Sequence, residues 1–119
     1  MLLRGSVRAF VADPEYDEMA HVNVRDSVSG YWFSLARSSQ DSDIEVMVSD
    51  QLNHRGDGIQ VTLEPQAFHA TLSEAVALQL DGNRYYVVEF PIDQYASIRS
   101  AFDAIFRGRE GLSIGRSGA

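Results

Sequence analysis

Asp81-Gly82-Asn83-Arg84-Tyr85-Tyr86-Val87-Val88-Glu89-Phe90-Pro91-Ile92-Asp93, running on through Gln94-Tyr95-Ala96-Ser97-Ile98-Arg99-Ser100-Ala101-Phe102-Asp103-Ala104-Ile105-Phe106-Arg107-Gly108, reads as turn, strand, capped helix and stop. Asp81-Gly82-Asn83 is turn chemistry, and Tyr86, Val88, Phe90 and Ile92 alternate onto one strand face. Asp93 stands where a helix needs an N-cap acceptor. Tyr95, Ile98, Phe102, Ile105 and Phe106 then repeat at helical spacing, with Arg107 at the negative helix end and Gly108 at the C′ position.

Upstream, period-two alternation predicts strands over Ser6–Ala12 and Ala20–Asp26, with Ala20, Val22 and Val24 buried and His21, Asn23 and Arg25 on a wet face. Tyr31–Ala36 is an aromatic third strand, in which Trp32 is expected to be core. Ile44–Val48 is a short strand, and Ser49–Gly58 reads as the longest irregular loop because it carries two glycines and almost nothing apolar. Ile59–Glu64 and Ala67–Leu72 form a hairpin about Glu64-Pro65-Gln66, and Ser73 caps a short helix over Glu74–Leu80. These elements predict an α+β fold: a mostly antiparallel sheet of six to seven strands, with a short helix and a C-terminal amphipathic helix packed on one face. The expected unit is a single domain over 1–108, followed by a Gly- and Ser-rich tail over 109–119 that frays.

The chain has 119 residues and no cysteine, so disulfides and thiolate chemistry are excluded. Seventeen acidic against ten basic residues give a formal charge of −7, and all ten basic residues are scattered arginines. A nucleic-acid partner needs a basic stripe and is not expected; a basic protein partner is favoured by the field. No run approaches the roughly 20 apolar residues of a membrane helix, and no export signal is read, so no membrane partner is expected and the cytoplasm is the default address.

Candidate chemistry is sparse. His21, His54 and His69 are too widely spaced for a helical metal motif, and Asp41-Ser42-Asp43-Ile44-Glu45 lacks the glycine and ligand pattern of a calcium loop. Asp50 and His54 share a loop with Ser49, yet nothing in the spacing marks a strained nucleophile turn. Gly56-Asp57-Gly58 precedes a strand rather than a helix and so is not a phosphate cradle. Neither cofactor nor metal is expected, and no catalytic residue is assigned.

Taken together, the aromatic strand Tyr31–Leu35, the acidic and aliphatic run Asp41–Val48, the segment Ser49-Asp50-Gln51, the glycine loop Gly56-Asp57-Gly58-Ile59 and the closing module Leu72–Gly108 resemble the immunity protein 10 family of bacterial polymorphic-toxin systems. The resemblance spans Met19 to Gly108. It departs where Arg55 or Gly56 stands in place of an aromatic, and where the acidic segment before the final helix shortens to Pro91-Ile92-Asp93. It implies a non-enzymatic antidote that binds its cognate toxin and neutralises it by occlusion. Partner-binding candidates under that resemblance are Asp41, Asp43, Glu45, Asp50, Gln51, His54, Arg55 and Asp57. Two other readings stay open: a small-ligand-binding or enzymatic domain using the Asp50–Asp57 loop, which requires a concave pocket there, and a homodimer formed through a strand edge or the Trp32 face.

Overall fold

The computed structural model describes residues 1–13, 19–37 and 43–115. Among them, ten strands and two α-helices follow in order: β1 (Leu2–Arg4), β2 (Val7–Asp13), β3 (Met19–Arg25), β4 (Trp32–Arg37), β5 (Glu45–Val48), β6 (Leu52–Arg55), β7 (Ile59–Glu64), β8 (Ala67–Leu72), α1 (Glu74–Gln79), β9 (Tyr85–Glu89), α2 (Tyr95–Ile105) and β10 (Leu112–Ile114). They build two five-stranded sheets rather than the single sheet of six to seven strands expected from the sequence. One is an antiparallel meander, β2-β3-β4-β5-β6; the other is ordered β1-β9-β8-β7-β10. Its centre is antiparallel, while β1 and β10 pair in parallel with β9 and β7.

The α+β class follows from how the apolar faces are matched. Ile59, Val61 and Leu63 of β7 and Phe68, Ala70 and Leu72 of β8 are all buried, and they share one core with Val22, Val24, Phe33, Leu35, Val46 and Val48 of the meander. Phe33 is the bridge between the sheets, its ring centroid 4.6 Å from Tyr86 and 6.3 Å from Phe68. Helix α2 packs mainly on β2 and β3 and reaches the other sheet through Phe102, set edge-on to Phe68 at 5.0 Å. It therefore packs on one face of the meander, as expected, with Phe102 reaching across to the second sheet.

Several local expectations are corrected. Pro91 ends β9 early, so Ile92 leaves the strand face for a 3₁₀ turn (Ile92–Gln94) and is 62% exposed. Gln94, not Asp93, precedes the first residue of α2, and no side chain caps that end. At the other end Gly108 takes φ 71 one residue beyond the expected position, because the helix closes at Phe106. The last carbonyls of α2 are served from across the fold: Arg37 Nη1 donates to Ile105 O (3.0 Å) and to Arg107 O. His21 is buried, its Nδ1 2.9 Å from Asn23 Nδ2 and its ring 4.9 Å from Phe10, so that side of the meander is not simply wet. Trp32 is half-buried rather than core. Within the C-terminal 109–119 segment, Leu112–Ile114 form β10.

Turns are fixed by polar side chains. Asp26 accepts from the backbone amides of Arg4 (2.9 Å), Val28 (3.2 Å) and Ser29 (2.8 Å) and from Ser29 Oγ (2.8 Å). Those bonds, led by the Ser29 and Arg4 amides, hold its carboxyl down at about 2. Between β6 and β7 the chain crosses from one sheet to the other through Gly58, at φ +94, where a Cβ would lie 2.7 Å from Ser73 Oγ. The same Ser73 accepts from Val76 N as the cap of α1, so crossover and helix start are locked together.

Candidate functional site

The partner-binding candidates among the described residues lie on or flank one hairpin, β5–β6, at the edge of the meander. Its register, Glu45↔Arg55 to Val48↔Leu52, turns what reads as an irregular loop into an edge strand. Leu52-Asn53-His54-Arg55 is illegible as a strand because only every other residue is even half-buried, and an edge needs no continuous apolar face.

That placement divides the candidates into two groups. Asp50 and Gln51 form the hairpin tip, both exposed and both left-handed, with φ 65 and 61. Asp43, Glu45, Arg55 and Asp57 stand at the opposite end. At about 3.3 Å per residue, β6 separates Asp50 from Asp57 by roughly 15 Å. Asp41 lies outside the described residues.

The tip is braced from below, where Ser49 Oγ accepts from Trp32 N at 2.8 Å and Asn53 Nδ2 donates to Gln51 O at 3.3 Å. At the other end, Arg55 Nε is 3.2 Å from Glu45 Oε2 across the strand pair, so these two largely cancel in the surface field. His54 Nδ1 lies 2.7 Å from Gln79 Oε1, tying β6 to α1. Ser49 and His54 are thus bonded to different partners and Asp50 stands exposed at the tip, so the three are not gathered into a triad. Among the described residues, no three His, Cys, Asp or Glu side chains cluster as a metal site would need.

A groove of about 660 Å³ opens beside the far end of the hairpin, where Gly56–Gly58, the start of β7, the end of β8 and Gly108–Gly111 converge. Asp43, Asp57 and Glu110 bring negative charge to it, and Arg84 and Arg109 positive charge. Arg84 is held in place: its Nε donates to Leu72 O at 3.2 Å, and its guanidinium lies 5.4 Å from the centre of the Tyr85 ring. Arg84, Arg109 and Glu110 give no signal in the sequence because they are remote in the chain and carry no motif. Only the fold brings them to Asp57.

Near the α1–β9 turn sits a second polar cluster. Tyr31 donates to Asp81 and lies 3.0 Å from the hydroxyl of buried Tyr86, which itself donates to Asp81 at 3.4 Å. Burial, with the Asp81 bond added to it, pushes the Tyr31 phenol well above its ordinary range, and burial pushes Tyr86 up to about 12. Both phenols stay protonated at neutral pH, so they join the two sheets as hydrogen-bond donors to Asp81.

These features define a two-sheet α+β protein with an acidic, strained edge hairpin beside a charged groove. No family model, curated protein or solved structure matches the chain.

Proposed function

We propose that this chain is an immunity protein, a non-catalytic partner that binds a cognate bacterial toxin domain and blocks it by occlusion. The observation carrying the reading is the β5–β6 tip, where Asp50 and Gln51 are exposed in consecutive left-handed conformations. Non-glycine residues adopt that region at a cost, and such strain concentrates where a surface has a task. The sequence pattern that resembles the immunity family runs through this same hairpin. A net charge of −7 favours capture of a basic toxin surface and speeds encounter. Occlusion requires roughly 800 Å² on each partner, more than the tip alone offers, so Asp43 and Asp57 at the far end belong to the footprint.

Co-expression with the product of the adjacent gene tests this directly: a toxin domain is expected there, and it should co-purify with this chain. Charge reversal at Asp50 together with Asp57 should slow capture about tenfold or more at low salt while leaving thermal stability unchanged. If the neighbouring product forms no complex, the reading is lost.

The groove favours a second reading, a small-ligand site gripped by Arg84. Its size lies in the range of ligand pockets. Arg84→Ala would abolish such binding and leave toxin capture intact, whereas reversal at Asp50 would do the opposite.

A further inference from the structure

The C-terminal strand is attached to the fold in an unusual way. Helix α2 is pinned at its end by the Arg37 guanidinium, Arg109 N donates to Phe106 O at 2.8 Å, and beyond that the described residues pair with β7 over a three-residue parallel register. Gly111 O accepts from Val61 N and Gly115 N donates to Leu63 O, each at 2.7 Å. Of the side chains only Leu112 is half-buried; Ser113 and Ile114 are exposed. Two left-handed glycines, Gly108 at φ 71 and Gly111 at φ 122, bracket Arg109 and Glu110 as a hinge.

Beneath β10, Val61 and Leu63 of β7 are buried in the shared core, with Leu112 packed against its margin. Without β10, β7 would end the sheet as an open edge, which invites another strand. The segment best matched to that edge is the one already on it. Beside the end of β10, a groove of about 610 Å³ is lined by Ile92, Tyr95 and Ile114, with Ile92 62% and Ile114 39% exposed. Apolar surface at the rim of the seat is what a second copy, docked edge to edge, would cover.

We propose that β10 is an exchangeable strand: in a dimer, Leu112–Ile114 of one copy occupies β7 of the other, and the reverse. Each strand keeps the contacts it makes within one chain, so exchange costs only the hinge rearrangement and the association entropy. The opened hinge also releases Gly108 from its left-handed turn. This inference stands independently of toxin binding.

The absence of cysteine from the chain makes the test clean. Thr62 and Ser113 are directly aligned across the β7–β10 pair and both are exposed, so the full chain carrying T62C and S113C places two thiols within disulfide reach. Labelled and unlabelled copies are mixed reduced at high concentration, then oxidised and mapped by mass spectrometry. Exchange predicts disulfides between the two substituted positions that join labelled to unlabelled chains, in a fraction that rises with concentration. Links found only within one chain, or only between like positions, overturn it. Gly108→Val, with open space around the glycine, penalises the closed hinge alone and should raise the dimerisation constant about tenfold for each of the two hinges. In sedimentation, a wild-type chain and a Gly108→Val chain that both remain monomeric at millimolar concentration reject the proposal without any cysteine.

Discussion

The two hairpins β7–β8 and β5–β6 have the same connectivity but differ in how far their second strand is buried. β7 and β8 pair over six residues each, with neighbours on both sides, and every second side chain enters the core. β5 and β6 pair over four; β6 is an edge, and none of its residues is buried. The first hairpin is anchored in the core along both strands, whereas the second reaches the core only through Val46 and Val48 of β5 and leaves β6 outside it. A substitution series should therefore divide cleanly between β7–β8 and β6.

The sharpest break comes at Phe68. Its ring meets Phe33 at 6.3 Å, Phe90 at 6.4 Å and Phe102 at 5.0 Å, so it is where both sheets and α2 converge. Phe68→Ala should cost about 3–5 kcal/mol in urea unfolding, whereas Asn53→Ala on β6 should stay within about 0.5 kcal/mol. Equal losses at the two sites would erase the distinction.

A smaller effect is expected where the hairpins' sheets are tied. Tyr31, just before β4, and Tyr86 on β9 meet at Asp81, and Tyr31→Phe removes one donor from that carboxylate, at a cost of about 1–2 kcal/mol. The pH dependence follows from the raised phenols. A tyrosine whose folded pKa lies above its unfolded value of about 10 contributes fully below pH 10, and that contribution is lost as pH rises through the folded value. Tyr86, at about 12, sets the window, so alkaline unfolding between pH 10 and 12 should be steeper in wild type than in Tyr31→Phe. Parallel melting curves across that range would show that the phenols do not bridge the sheets.

The same contrast governs what is legible in the sequence. β7, β8 and α2 announce themselves because burial on one side imposes a strict period, and Ser73 is a visible cap because its job is local. β6 and β10 are hidden because an edge strand needs no apolar alternation and a three-residue parallel pairing leaves none to read. Ile92 and Asp93 mislead because Pro91 removes a donor and bends the chain before the apparent pattern ends. His21 reads as a wet-face residue because the proximity of Phe10 comes from strand register, which single-strand alternation does not reveal. Of the candidate site, the residues are legible but their geometry is not: Glu45 and Arg55 cancel one another, and the Asp50 tip lies at the opposite end of the hairpin from the Asp57 groove. Arg84 enters only through the fold.

The smallest effect is also the most discriminating, because stability and recognition should move in opposite directions. Gln51 sits at φ 61, in a region an L-residue enters at a cost of roughly 1–2 kcal/mol, and glycine occupies it freely. Gln51→Gly removes that strain but adds unfolded-state freedom worth about 0.4–1 kcal/mol, so the net gain should be about 0.5 kcal/mol. A slightly raised melting temperature is expected, together with weaker partner capture, since a glycine tip loses both the amide side chain and its fixed direction. Were Gln51→Gly instead destabilising, the tip would be held by contacts rather than against strain, and the argument from strain to function would lose its footing. A stable variant with undiminished capture would move the interface away from the tip, leaving the Asp57 end of the hairpin to carry it.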